Sequence, residues 1–140
     1  MIKKFTLLFV ILFSSLVASE LHLAKSYQEG VKEAQRQHKP IFFVQSRHTC
    51  KYCVIFEKTT LKDKRVIKAL NRDFISVIAF SDDGDYIPRD LWQPATPTIW
   101  FLDPKGRPMF QPIPGAIDAS SFLQALAIVK TEFDKKGKNR

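Results

Sequence analysis

The two cysteines of this chain stand at positions 50 and 53, within Thr49-Cys50-Lys51-Tyr52-Cys53. A bridge between them would close a very small loop and remove little entropy from the unfolded chain. The pair is a poor staple, so the fold has to come from an apolar core. A chain of 140 residues is long enough for one such core. Two chemistries stay open for the pair itself, a redox couple and half of a zinc site. A structural zinc site asks for four ligands, as a rule with a second pair at similar spacing. Besides the cysteines the chain offers His22, His38 and His48, with no paired spacing among them. Redox chemistry therefore ranks ahead of metal binding, and no metal ligand is assigned.

The first residues read MIKKFTLLFVILFSSLVASE. Lys3 and Lys4 make a basic start, Phe5 to Val17 is an apolar run, and Val17-Ala18-Ser19 supplies small residues for a signal peptidase. The expectation is a signal peptide over 1–19, cut after Ser19, and a single domain over 20–140 in the periplasm or otherwise secreted. An uncleaved membrane anchor is the alternative. A bilayer span takes roughly 20 apolar residues, and this run is shorter and interrupted by Thr6, Ser14 and Ser15. The net charge of +8 is scattered, with one dense run in the terminal KKGKNR. In an exported chain that distribution argues against nucleic acid as a partner. A monomer is expected.

Leu23, Tyr27, Val31 and Ala34 recur at helical spacing, which predicts an amphipathic helix over roughly 23–37. Pro40 ends it, and Ile41–Val44 suits a buried strand. The cysteine motif follows and opens a helix through Lys58. Asp63 can cap a further helix with Val66, Ile67 and Leu70 on its apolar face and Asn71 as its stop. Residues 74–80 (FISVIAF) and 98–102 (TIWFL) read as strands. DPKG at 103–106 favours a type I turn, with a short return strand around 108–111. Asp118 caps a last helix bearing Phe122, Leu126, Val129 and Phe133. Two strands joined by a helix should run parallel, and the last two form a hairpin. An α/β fold follows, with a mixed sheet flanked by helices on both faces. SDDGD at 81–85 resembles the start of a calcium loop, but the twelfth position counted from Asp82 is Gln93, so it reads as a solvated turn.

At a strand-to-helix junction Cys50 lies at a helix N-terminus, which favours its thiolate. Cys53 lies one turn inside and should be buried. Lys51, and His48 when protonated, add positive charge that should lower the Cys50 pKa further. An acidified, exposed sulfur beside a second one held to attack it is what two-step thiol–disulfide exchange requires.

KPIFFVQS, TCKYCVIFEK, DKRVIKAL, ATPTIWFLDPKG and PGAIDASSFLQAL, in that order, resemble a thioredoxin-like domain across roughly residues 26–130. They are similar to the C-terminal thioredoxin-like domain of the transmembrane thiol–disulfide interchange reductase and to small periplasmic thioredoxin-like proteins. TCKYC is also similar to the active site of periplasmic disulfide isomerases. The resemblance implies a thioredoxin fold, with Cys50 as nucleophile and Cys53 as resolving cysteine. It implies that Pro97 is the cis-proline facing the dithiol, that Thr96 pairs with substrate backbone, and that Gly115 lets a substrate chain approach. Gly115 also reads as a plain turn glycine after Pro114.

Two positions depart from the family pattern. Thr49 stands where many thioredoxins have Trp, and Val44 stands where they bury an Asp. Glu57 lies four residues after Cys53 on the same helix face and matches an acidic position of the reductase-domain relatives. It either handles the Cys53 proton or is a solvated residue paired with Lys58 or Lys62. Trp92, in the loop before Pro97, would line a substrate groove. The function implied is an exported thiol–disulfide oxidoreductase, a protein-disulfide reductase that needs no cofactor. Its partners would be protein disulfide or dithiol clients and a membrane electron donor. The alternatives are a disulfide isomerase or oxidant, and a client-binding module whose dithiol is idle.

Overall fold

Residues 20–139 are described here, from a computed structural model of the chain. The expected signal peptide, residues 1–19, lies outside them. Among the described residues, four strands and four α-helices follow in the order α1 (Tyr27–Gln37), β1 (Ile41–Ser46), α2 (Lys51–Lys58), α3 (Lys64–Asp73), β2 (Ile75–Phe80), β3 (Thr98–Leu102), β4 (Ile113–Pro114) and α4 (Ala119–Lys138). The sheet order is β2-β1-β3-β4. β1 runs parallel to β2, with Ile41 opposite Ile75 and Ser46 opposite Phe80. It runs antiparallel to β3, with Ile41 opposite Leu102. β1 is central, and all six of its residues are buried.

Alternation along β1 divides the core into two layers. Phe42 and Val44 face α2, α3 and α4 and pack with Phe56, Leu70, Phe101 and Phe122. Ile41 and Phe43 face α1 and pack with Ala34, Val77, Trp100 and Leu102. The expected mixed sheet with helices on both faces is the one observed. The rings of the first layer lie against one another, Phe42 and Phe122 with centroids 5.2 Å apart and Phe56 and Phe122 at 5.7 Å. Such tilted pairs add about 0.5–1.5 kcal/mol each beyond the area they bury.

The caps follow their residues. Asp63 accepts from the N–H groups of Arg65 and Val66, and Asp118 from that of Ser121. Three boundaries differ from the expectation. α1 begins at Tyr27, because Ser26 accepts from the Glu29 N–H and caps it there. Leu23 instead bridges to Ser76 at the outer edge of β2, and the Ala24 N–H donates to the Ser76 carbonyl at 2.9 Å. Asn71 does not end α3, which runs on to Asp73. Its amide ties down the preceding segment, accepting from the His22 N–H at 2.9 Å and donating to the Glu20 carbonyl at 2.8 Å. The return strand expected around 108–111 is reduced to a single bridge between Leu102 and Pro108, and the paired strand is Ile113–Pro114. Pro108 and Pro112 have no N–H to give a ladder, so regular pairing is delayed past them. Among the described residues no helix is long and apolar enough to cross a membrane.

Candidate active site at the strand–helix junction

β1 delivers the chain to the edge of the sheet, and Arg47, His48 and Thr49 turn it into α2. Cys50 is the N-cap of that helix, with φ −89° and ψ 118°. Its sulfur takes the part that a Ser or Asp oxygen usually takes, accepting from the Cys53 N–H at 3.3 Å. On its other side the Cys50 S–H donates to the Thr96 carbonyl at 3.3 Å. Both cysteines are free thiols, Cys50 half-buried and Cys53 fully buried at 0 % exposure.

The two sulfurs are pushed apart in acidity. Burial opposes ionisation of Cys50 and is its largest single influence. The hydrogen bonds from the Cys53 and Thr96 side chains and from the Cys53 and Tyr52 backbone together outweigh it, and its pKa is lowered. Burial also dominates at Cys53, reinforced by the hydrogen bond to Cys50. Interactions with Thr96, Ser46 and the Arg47 backbone do not compensate, and that thiol is pushed up. At neutral pH the accessible sulfur is the more ionised and the inner one holds its proton.

The Thr96–Pro97 peptide bond is cis, and Thr96 is the residue whose carbonyl faces Cys50. The Gly115 N–H donates to the Pro97 carbonyl at 2.8 Å, which brings the β4 turn beside the same proline. Gly115 has φ +84°, and a Cβ built there would meet nothing within 4 Å. Its backbone conformation therefore calls for glycine, while the space beside it is open. Cys50, Cys53, Thr96, Pro97 and Gly115 are thus brought together.

His48 and Lys51 flank the pair. Lys51 is exposed on the first turn of α2. The His48 ring stacks on Phe80, with centroids 3.9 Å apart and planes 6° from parallel. Its Nε2 lies 2.7 Å from the Asp83 carboxylate. That hydrogen bond, ahead of any other influence, raises the His48 pKa, with Asp82 and Glu57 adding to it against partial burial. The His48 charge is therefore engaged by Asp83, and the hydrogen bonds to the Cys50 sulfur, not His48 or Lys51, lower its pKa. The His48 and Thr49 backbone N–H groups both donate to Asp82, which ties the turn at 81–83 to the site. His48, Asp82 and Asp83 hold donor atoms within 4.8 Å of one another. All three are exposed, and Asp83 Oδ2 is engaged by His48 Nε2 while Asp82 Oδ2 accepts from the His48 and Thr49 N–H groups.

Glu57 sits one turn beyond Cys53, partly buried, and accepts from the Ser46 hydroxyl at 2.6 Å. Val44 is buried in the apolar layer, so the strand carries no carboxylate behind the pair. Sequence reasoning missed two residues here, Ser46 and Gln45. The Gln45 side chain, 2 % exposed, clamps the backbone of Gln93, donating to its carbonyl at 2.7 Å and accepting from its N–H at 2.9 Å. Trp100 anchors the same loop through a 2.9 Å bond from its indole N–H to the Leu91 carbonyl. Two consecutive polar residues at the end of an apolar strand were the available signal. Trp92 is 54 % exposed and, with Gln45, Arg47, Asp82 and Thr96, lines a groove of about 250 Å³ beside Cys50.

A mixed sheet with the order found here, a dithiol capping the helix after its central strand and a cis-proline loop opposite define a thioredoxin fold carrying a vicinal dithiol. The model of the thioredoxin-like domain family matches residues 27–130, and the chain belongs to that family. Among solved structures it is similar to a thioredoxin from Thermus thermophilus, with TM-score 0.72 and 24 % identity over 84 % of this chain and 93 % of that one. It is also similar to a DsbH oxidoreductase (TM-score 0.62, 15 % identity, 84 % of this chain and 89 % of that one). The oxidised C-terminal domain of Neisseria meningitidis DsbD superimposes with TM-score 0.54 and 17 % identity over 69 % of this chain and 87 % of that one. Among curated proteins, Anterior gradient protein 2 of Xenopus laevis is 28 % identical over 63 % of this chain and 51 % of its own length. Anterior gradient protein 3 of Mus musculus is 27 % identical over 57 % and 48 %. The chain spans about half the length of these two curated relatives.

Proposed function

We propose that this protein is an exported thiol–disulfide oxidoreductase that reduces protein disulfides through Cys50 and Cys53. The observation that carries the reading is the division of labour between the sulfurs. Cys50 is accessible, caps α2 and has a lowered pKa, while Cys53 is buried behind it and keeps its proton. The Cys50 thiolate attacks a client disulfide, one client sulfur leaves, and a mixed disulfide forms. Cys53 then attacks Cys50, the second client sulfur leaves, and the Cys50–Cys53 disulfide remains. Thr96 and Gly115, on the two sides of Pro97, border the approach to Cys50, and Trp92 extends it as an apolar shelf. No cofactor enters this cycle, and a membrane dithiol donor would reset it. The reductive direction rests on the likeness to the interchange reductase domain, and export on the composition of residues 1–19.

Cys53→Ala stops the cycle at the mixed disulfide. Expressed in its home compartment, that variant is expected to accumulate reducible adducts on a non-reducing gel, and Cys50→Ala to accumulate none. If neither variant traps a partner, the groove serves as a binding module with an idle dithiol. Equilibration against glutathione then separates the directions. A potential near the roughly −270 mV of thioredoxins fits a reductase, and one near about −120 mV fits an oxidant.

A further inference from the structure

At the pole of the sheet opposite the dithiol, the end of α1, the turn after β3 and the last turns of α4 border a cavity of about 320 Å³. β1 is six residues long, so roughly 20 Å of strand, at about 3.3 Å per residue, separates this cavity from Cys50. Its volume is at the lower end of the roughly 300–1,000 Å³ typical of ligand cavities. A more open hollow of about 390 Å³ adjoins it over His38 and Phe133.

The walls are apolar and the free charges are of one sign. Phe133, Met109, Pro104 and Pro108 supply the walls. Asp103 is the one carboxylate on the lining among the described residues, and both of its oxygens are occupied. Oδ1 accepts from the Lys105 and Arg107 N–H groups at 2.8 and 3.0 Å, and Oδ2 from Arg107 Nε at 2.7 Å. Asp103 thereby neutralises Arg107. Lys105 and Lys136 line the same cavity, and neither has an ion pair among the described residues. Lysines in the last turn of a helix offset its dipole, a role that Lys136 shares with Lys135 and Lys138. Lys105 stands on the turn after β3 and has no helix end of its own to offset.

The cavity is also preformed. The Tyr27 hydroxyl donates to the Gly106 carbonyl at 3.4 Å, and a Cβ at Gly106 would stand 2.1 Å from that hydroxyl. The turn that carries Lys105 is therefore pressed against α1. His38 ends α1 with φ 51° and ψ 57°, the left-handed conformation for which glycine is the usual choice. It is the one residue other than glycine with positive φ among the described residues. In that conformation its ring lies against Phe133, with centroids 5.3 Å apart. A strained residue held in place by its surroundings points to a function at that spot.

We infer that this cavity binds a small amphipathic anion, with its flat apolar part on Phe133 and its carboxylate, phosphate or sulfonate at the Lys105 and Lys136 ammonium groups. Two ammonium groups and no free carboxylate select negative charge. The apolar walls favour a headgroup that carries rings or a short chain over a fully hydrated inorganic ion. Lysine places a compact charge on a flexible stem, so the pair can close on headgroups of different shape. The inference does not rest on the oxidoreductase reading, because the cavity and the dithiol lie at opposite poles.

Anilinonaphthalene sulfonate, two apolar ring systems with one sulfonate, serves as the probe. It is titrated onto the folded protein by fluorescence and located by NMR amide shifts. One probe per protein is expected, with shifts at 35–38, 103–109 and 133–137. The double variant Lys105→Gln with Lys136→Gln should bind it about tenfold more weakly, the loss of two charge pairs of surface strength. The charge-matched double variant Lys64→Gln with Lys68→Gln, on α3, should bind as wild type does. Phenylnaphthylamine, the same rings without the sulfonate, should bind wild type and the first variant alike. Equal weakening by both double variants would leave net charge as the only attraction and overturn the site. Weakening of the uncharged probe by the first variant, absence of saturable binding, or shifts confined to the Trp92 groove would each overturn it too. Phosphatidylglycerol vesicles separate the lipid source from the free anion. Sedimentation with them through Lys105 and Lys136, without saturable binding of the free probe, would replace the cavity site with a membrane-facing patch. Reduction of oxidised glutathione by the same proteins reports on Cys50 separately, and its absence in wild type would remove the oxidoreductase reading while leaving the anion site standing.

Discussion

Cys50 shows how a single side chain can be a structural cap and a reactive group at once. Its sulfur closes the first turn of α2 through the Cys53 N–H and faces the Thr96 carbonyl across the groove. The same N–H groups that need a cap stabilise a negative sulfur. In the reduced protein, iodoacetamide at neutral pH is expected to modify Cys50 far faster than Cys53. The pH midpoint of that reaction should lie below the ordinary thiol value of about 8.5. Because the folded pKa is the lower one, ionised Cys50 contributes stability above the unfolded value and loses it as pH falls through the folded value. The stability difference between reduced wild type and Cys50→Ala should therefore move in favour of wild type as pH rises through that window. Preferential labelling of Cys53 would reverse the assignment of nucleophile and resolver.

At the scale of elements, α1 is held against the sheet at the cost of helix propensity. Gly30 sits in the middle of α1, where Ala would be preferred by about 1 kcal/mol. A Cβ there would stand 2.4 Å from Cγ2 of Val77, a side chain 1 % exposed in the second core layer. Val77 is branched and enclosed, so it cannot swing aside without disturbing Phe43 and Ala34. Gly30→Ala is expected to destabilise the fold by about 1–3 kcal/mol, the usual range for overpacking, read as a lower thermal midpoint. The same change made together with Val77→Ala should be neutral or stabilising relative to Val77→Ala alone. A raised midpoint for Gly30→Ala in the wild-type background would mean that α1 shifts freely on the sheet.

For the whole molecule, the two core layers meet along β1, and the site lies where that strand leaves them. The placement couples the dithiol to both sides. α2 and Glu57 come from one layer, while the loop bearing Thr96 and Pro97 is pinned by Gln45 and Trp100 from the other. If the first nineteen residues direct export, protein recovered from the extracytoplasmic fraction should begin at Glu20 by N-terminal sequencing and run as a monomer on size exclusion. Recovery of a chain beginning at Met1 in the membrane fraction would favour an uncleaved anchor.

Short-range chemistry accounts for most of the elements. Apolar runs made β1, β2 and β3 legible. Asp63 and Asp118 marked two helix starts, and the Cys50–Cys53 spacing at a strand end marked the site. The boundary at Ser26 was also open to reading, since Ser26 and Glu29 have the spacing of a capping box. Leu23 instead looked helical, because one apolar residue at the right spacing fits a helix turn and an extended edge equally well. Only the groove beside β2 decided between them. The hairpin partner of β3 depended likewise on which residues could supply N–H groups to the ladder. Pro97, Thr96 and Gly115 were reached by resemblance alone, and their meeting with Cys50 is a product of packing across the sheet. The Gln45 clamp spans 48 residues of sequence, and the Ser46–Glu57 bond joins a strand to a helix. Periodicity says which face a side chain takes within its own element. Which side chain on another element comes within 3 Å of it is set by how the layers pack, and so only the tertiary structure could place the Ser46 hydroxyl against Glu57.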